Sequence, residues 1–318
     1  MSEEEPIRVG ISACLLGQAV RFDGGHKRDP FLTETLGRFV EWVPVCPEVE
    51  LGLGVPRPTL RLERRRGEIH LLEPASGRDL GAAMRRFSAR RVAALASQEL
   101  CGYVLKARSP SCGMQRVKVR DAAGGPAPGG RGLFAEALLA ACPELPVEEE
   151  GRLQDPGLRE NWVERVFAYR RLRALLAGRF AARRVVAFHT AHELQLLAHS
   201  PEAHRALGRL VAHVRRVPRA AFRARYAREF MRALSLRASR GRNANVLQHM
   251  AGYLRDGLDA PDRAELREAI GDYRRGLVPL VVPMTLVRHH ARRQAVGYLM
   301  GQVYLEPHPK ELMLRNHV

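Results

Sequence analysis

The chain has 318 residues, 46% hydrophobic and 27% charged, the balance of a core-forming protein long enough for two domains. Its longest nearly apolar run, Leu277 to Val287, contains two prolines and is too short to span a bilayer; the acidic start, Met1-Ser-Glu-Glu-Glu-Pro6, is unlike a secretion signal. No membrane span or Sec export is expected, the expected location is cytoplasmic, and a net charge of +18 points to a polyanionic partner.

The charge is uneven. Residues 1–150 hold 21 basic and 20 acidic residues, whereas residues 151–318 hold 31 and 14, and all but one of those 31 are arginine. A GC-rich genome accounts for arginine in place of lysine but not for the shortage of Asp and Glu. The second half therefore reads as the half that faces nucleic acid.

In chain order, Ile7 to Ser12 and Phe39 to Val45 read as strands. Asp79 to Leu100, with Leu80, Met84, Phe87, Val92 and Leu95, reads as a helix, and Gly102 to Lys106 as a third strand. Gly124 to Gly132 reads as a flexible loop and Phe134 to Cys142 as a short helix. This alternation predicts an α/β domain with a largely parallel sheet over residues 1–150. Glu148-Glu149-Glu150-Gly151 is taken as the boundary. From 156 onward only helical patterns occur: one up to Gly178, one over 185–199, one starting at Ser200-Pro201, then about 218–238, 243–257, 261–275 and 284–300. Residues 151–318 are thus expected to form an all-α helical domain, a compact bundle without repeats.

Five cysteines, an odd number, do not describe a disulfide scaffold. Cys14, Cys46 and Cys112 each lie just beyond the C-terminal end of an expected strand, the edge where open parallel sheets bind ligands. Spacing leaves two readings open: small buried core residues, or three thiolates converging on a metal or cluster. Cys101 and Cys142 lie elsewhere and suit the core.

Four motifs carry a resemblance. Ser12-Ala-Cys-Leu-Leu-Gly17, Arg21-Phe-Asp-Gly-Gly-His-Lys27, Val45-Cys-Pro-Glu-Val-Glu50 and Lys106-Ala-Arg-Ser-Pro-Ser-Cys-Gly113 occur in order and resemble the TudS-like thiouracil desulfidase family over about residues 7–147. The second half resembles the YbgA-like helical domain at Leu158 to Trp162, Phe188 to His192, Asn245 to His249 and Leu305 to Pro309. It departs at Glu193, where lysine is expected, and at Asn243, where histidine is expected. The fused pair is similar to RudS-type enzymes, which remove sulfur from 4-thiouridine in transfer RNA (tRNA).

The resemblance implies a [4Fe-4S] cluster held by Cys14, Cys46 and Cys112, with one iron not ligated by protein. Such an iron is a Lewis acid suited to a thiocarbonyl sulfur, and exchange of C=S for C=O by water needs no change of oxidation state. Glu48, two residues after Cys46, is the candidate base, partial desolvation being expected to raise its pKa; a surface or capping role is the alternative. Ser109 is favoured by the resemblance as a functional hydroxyl and Ser111 is a second candidate, against plain turn chemistry for both. Asp23 either stabilises its turn or orients the pyrimidine edge. In the helical domain, Arg225, Arg228 and Arg232 fall opposite the Phe222, Tyr226 and Phe230 face and are candidates for nucleic-acid binding. His189 and His192 are assigned to a buried polar network, not a second metal.

The leading expectation is an iron–sulfur tRNA desulfidase. A free thiouracil or thionucleotide substrate is the first alternative, disfavoured by the basic domain. A non-catalytic iron–sulfur nucleic-acid-binding protein is the second, disfavoured because a structural cluster wants four protein ligands.

Overall fold

The computed structural model describes residues 6–317. The chain divides into two compact units, Met1–Gln154 and Asp155–Val318. The first is α/β with a parallel sheet and the second is helical, the architecture expected from the sequence patterns.

The first unit begins with β1 (Arg8–Ser12), β2 (Glu41–Val45) and the single turn α1 (Pro47–Glu50). Next come β3 (Arg61–Arg65), β4 (Glu68–Glu73), β5 (Arg78–Asp79) and α2 (Gly81–Ala96). They are followed by β6 (Gly102–Leu105), β7 (Val117–Asp121), β8 (Pro126–Gly130), α3 (Leu133–Ala141) and β9 (Val147–Glu149). One sheet has the order β2-β1-β6-β9 and every pair in it is parallel. Its central strands are buried along almost their whole length, as parallel strands covered on both faces must be. The chain winds from β1 to β2 on one side and reaches β6 on the other, so the topological switch point lies between β1 and β6.

A second sheet, β5-β4-β3-β7-β8, was not foreseen. Its strands are rich in arginine and glutamate, or in Gly and Pro, and apart from Ile69, Val117 and Val119 carry no β-branched residue. Gly124 to Gly132 is accordingly not a free loop: Pro126–Gly130 forms β8, antiparallel to β7. The glutamates at 148–150 lie just before the border between the units, which falls after Gln154. Val147–Glu149 is the edge strand β9, and its carboxylates are satisfied: Glu148 by Arg152 at 2.7 Å, Glu149 by the Met114 N–H at 2.7 Å and Glu150 by Lys106 and the Ala107 N–H.

The second unit opens with α4 (Pro156–Ala177), capped by Asp155 accepting from the Leu158 N–H at 2.8 Å, with Pro156 at the first helical position. It continues with α5 (Ala182–Ala191), α6 (Glu193–His199), α7 (Pro201–Ala212) and α8 (Arg219–Ser235). Then come α9 (Arg240–Leu254), α10 (Ala260–Arg275), α11 (Val281–Arg293) and the short α12 (Gly297–Met300). The single helix expected over 185–199 is two, broken at His192, whose backbone leaves the helical region. Phe222, Tyr226 and Phe230 are fully buried in one core cluster; Val246, Leu247, Met250 and Val287 build a second. Among the described residues no helix is long and apolar enough to cross a membrane.

Gly10 fixes the seam of the parallel sheet. It faces Tyr103 across the β1–β6 ladder, and a Cβ there would stand 2.2 Å from the Tyr103 ring. Gly10→Ala is therefore an overpacking change beside a fully buried ring and should cost about 1–3 kcal/mol or more of stability. Denaturant unfolding of the full chain checks this; an unchanged midpoint would mean that Tyr103 moves aside freely.

Candidate active site

The three strand-end cysteines meet. Cys14 sits in a one-turn helix directly after β1, and its carbonyl accepts the N–H groups of Gly17 and Lys27, which folds the 17–27 loop back on it. Cys46 follows β2 and its N–H donates to Glu50 Oε1 at 3.1 Å. Cys112 lies in the turn after β6, whose Ser109 Oγ accepts the N–H groups of Ser111 and Cys112 at 3.2 and 3.1 Å. All three line one cavity of about 410 Å³ at the carboxyl ends of the parallel strands. Cys101 and Cys142 do not line it, and all five thiols are free of disulfides.

Burial governs the thiols. It pushes Cys14 up to about 11 despite the nearby Lys106 ammonium, raises Cys46, and raises Cys112 well above the ordinary thiol range. Cys14 also feels the charge of Cys46, and Cys112 those of Cys46 and Cys14. Among the described residues no three His, Cys, Asp or Glu side chains approach closely enough to share a single metal ion. The donor set is soft and thiol-only, which selects iron–sulfur or other thiophilic centres over hard cations.

Glu48 also lines the cavity; its side chain is 13% exposed, the partial desolvation expected for it, but it is ion-paired as well. Arg57 Nε and Nη2 grip its Oε2 at 2.8 and 2.7 Å, while the Ser111 hydroxyl donates to its Oε1 at 2.8 Å. The Arg57 side chain is only 4% exposed, and it is anchored by donating to the Gly54 carbonyl at 2.9 Å. Sequence reasoning missed Arg57. It stands between Pro56 and Pro58, nine positions from its partner, and no spacing rule links the two.

The two candidate serines have different jobs. Ser111 is fully buried and holds Glu48; it does not line the cavity. Ser109 does line it, and because its oxygen already accepts two backbone N–H groups, its own O–H is left to donate. Asp23 lies outside the lining. It accepts from the Gly25 N–H at 3.1 Å and pairs with Arg21 at 3.2 Å, which together hold its carboxyl below the usual range: this is a turn-stabilising residue. Lys27 and Arg108 line the cavity as cations without an ion pair among the described residues.

In the helical unit, Arg225, Arg228 and Arg232 are exposed opposite the buried aromatic face, as the periodicity predicts. Two of them are not free: Glu229 pairs with Arg232 at 2.8 Å and with Arg228 at 3.6 Å. His189 of α5 hydrogen-bonds the Tyr226 hydroxyl of α8 at 3.1 Å, whereas His192 bonds the Phe188 carbonyl one turn back in α5 at 2.7 Å. The departures at Glu193 and Asn243 have partners as well. Glu193 accepts from Tyr298 and contacts His204, each at 3.2 Å; Asn243 bridges Tyr273 and Tyr304 at 3.1 and 3.0 Å.

Residues 9–150 match the family model described as 2-thiouracil desulfurase, and residues 193–309 match the one described as protein of unknown function (DUF1722). The first match falls within the α/β unit that carries the cysteine-lined cavity and the second within the helical unit. Over 158 residues the chain is 31% identical to uncharacterized protein YbgA of Escherichia coli (strain K12), a match spanning 49% of this chain and 94% of that protein. The chain therefore belongs to the YbgA family, in a fused form whose first unit is a TudS-like desulfidase. Among solved structures it is similar to the [4Fe-4S]-dependent thiouracil desulfidase TudS, with 33% identity over 46% of this chain and 93% of that one, at a TM-score of 0.37.

The division of labour between the serines is measurable. Ser109→Ala frees two backbone N–H groups and should cost about 1–2 kcal/mol of stability as well as turnover of a thiouracil substrate. Ser111→Ala should keep the turn, yet lower turnover about tenfold by loosening Glu48. Thermal melts paired with turnover assays separate them; identical behaviour of the two variants would remove the distinction.

Proposed function

We propose that this protein removes sulfur from 4-thiouridine in tRNA, with an iron–sulfur cluster held by Cys14, Cys46 and Cys112. The observation that carries this reading is the convergence of three thiols from three separate strand ends on one cavity that also holds Glu48 and Ser109. The residues fit such a cluster. They supply three soft ligands and no fourth, so one iron is left without a protein ligand. A cluster spreads its ligands over several irons, which suits three thiols reaching one cavity from separate strand ends. When bound, the cluster supplies a soft Lewis-acidic iron that polarises the thiocarbonyl.

The chain's own residues do the rest. Glu48, fixed by Arg57 and Ser111, takes a proton from the water that adds to C4 of the pyrimidine. Ser109 donates a hydrogen bond to the bound base. The carbonyl oxygen comes from water, the sulfur leaves as sulfide carrying the protons, and no electrons are exchanged. Lys27 and Arg108 give the cavity positive charge for the phosphates beside the nucleotide. The helical unit adds 31 basic residues against 14 acidic ones, with Arg225, Arg228 and Arg232 among those exposed to a polyanion. A free thiouracil substrate needs no such surface.

Anaerobic reconstitution should load about four irons and four sulfides per chain. Cys14→Ala, Cys46→Ala and Cys112→Ala should each abolish loading, and Cys101→Ala and Cys142→Ala should leave it intact. Full loading of Cys14→Ala would sink the three-ligand reading. Glu48→Gln should keep its iron and lose about a hundredfold in turnover. Nucleoside analysis of thiolated tRNA should show 4-thiouridine converted to uridine; conversion of free thiouracil alone would make the small-molecule desulfidase the better account.

A further inference from the structure

The second sheet of the desulfurase unit runs out from the cavity and carries its own charge. Thr59 and Leu60, on the cavity wall, lead directly into β3, and Cys112 is followed after one short turn by β7. β3 and β7 pair in parallel at the centre of the sheet, with Leu62 opposite Val119 and Glu63 opposite Arg120. Both strands therefore leave the cavity in the same direction.

The alternation along these strands sorts their side chains. Leu62, Val117 and Val119 are buried on the inner face. Arg61, Glu63 and Arg65 share the outer face with Lys118 and Arg120. Arg61 and Arg65 are 41% and 48% exposed, and both Lys118 and Arg120 are exposed. Glu63 is buried beneath its neighbours, accepting from Arg65 at 2.6 Å and Arg61 at 2.9 Å. Those two bonds fix the guanidinium groups over the sheet. Lys118 and Arg120 enter no ion pair among the described residues; Arg120 only donates to the Gly124 carbonyl at 2.7 Å. The nearby acids include Asp79, engaged by His70 at 2.6 Å, Glu68, opposite Arg65 at the far end, and Asp121, opposite Arg64 on the other face and accepting from the Gly125 N–H at 2.7 Å.

Phe, Tyr and Trp are absent from β3, β4 and β7, and the one ring these strands place on this face, His70 opposite Glu63, is held by Asp79 at 2.6 Å. A face of fixed and free cations with so few rings suits backbone phosphates better than bases. Arg61 and Arg65 stand about 13 Å apart along β3 and the neighbouring strand lies about 5 Å away, a patch long enough for several phosphates.

We propose that the outer face formed by Arg61, Arg65, Lys118 and Arg120 binds the phosphate backbone of the RNA whose thiolated nucleotide enters the cavity. The desulfurase unit then contributes RNA contacts of its own, although its net charge is close to zero. This rests on the tRNA reading above and adds a second surface to it.

The test uses the full chain carrying Lys118→Gln and Arg120→Gln together, and a tRNA containing 4-thiouridine. Each lost phosphate contact removes about 0.7–0.9 from the log–log salt slope of affinity, so the double variant should flatten the slope by about 1.4–1.8. Its KM for the tRNA should rise about tenfold. The charge-keeping pair, Lys118→Arg with Arg120→Lys, should retain the wild-type slope, which a merely structural role for these positions would not require. A wild-type slope in the neutral variant overturns this face as an RNA surface. A wild-type protein whose tRNA affinity ignores salt overturns the tRNA reading itself, before any variant is made.

Discussion

The parallel pairing of β1 with both β2 and β6 is the constraint on which the active site rests. A parallel ladder makes every strand end at the same edge of the sheet, so the segments following β1, β2 and β6 must all emerge there. Because the winding reverses between β1 and β6, their following loops part and leave a crevice. Cys14 and Cys112 follow the two strands that flank it, and Cys46 follows the next strand over. Nothing local brings positions 14, 46 and 112 together; the ladder does. Its tightest point is the crossing of the Tyr103 ring over Gly10, where only a residue without a side chain fits.

Carboxylates and thiols share this cavity on different terms. Each carboxylate at its edge has a cation of its own: Arg57 for Glu48 and Lys106 for Glu150. Those pairs hold the acids in fixed orientations, as a positioned base requires. The thiols have no such partner. Lys106 is the strongest cation acting on Cys14, yet it is already engaged by Glu150, and burial still prevails. Three adjacent thiolates in so buried a place are tenable only if what they bind brings positive charge.

How much was legible in the sequence follows from what each signal depends on. The strands leading to Cys14, Cys46 and Cys112 are apolar runs ending in Gly-, Pro- or Ser-rich segments, so both the parallel sheet and the cysteine edge could be read. The helical unit was legible because periodicity and caps are local, as at Asp155-Pro156 and Ser200-Pro201. The second sheet was not, since β3 alternates arginine with Leu62 and Glu63, and β8 is Pro-Ala-Pro-Gly-Gly. The closeness of Glu48 to Cys46 and its partial burial were legible, but its ion pair was not. The Arg57 that grips it is remote in sequence, and long-range ion pairs leave no periodic trace.

The same distinction between local and long-range pairing decides where the helical unit shows its charge. Glu160 and Glu164, one turn apart on α4, point into the unit and meet Arg315 and His199. Burial pushes Glu160 up to about 7, with Arg315 opposing it; burial also pushes Glu164 up, but His199 and then Arg315 outweigh it and hold it low. The acids and cations of this network thereby face one another inside the unit. The excess of arginine over acid is then carried by the surface, where Glu229 screens Arg228 and Arg232 but leaves Arg225 unpaired. Surface charge is what a polyanion senses at range and what salt screens, whereas buried pairs are felt by neither. A domain built this way keeps its buried pairs largely out of reach of salt while its surface charge stays open to screening.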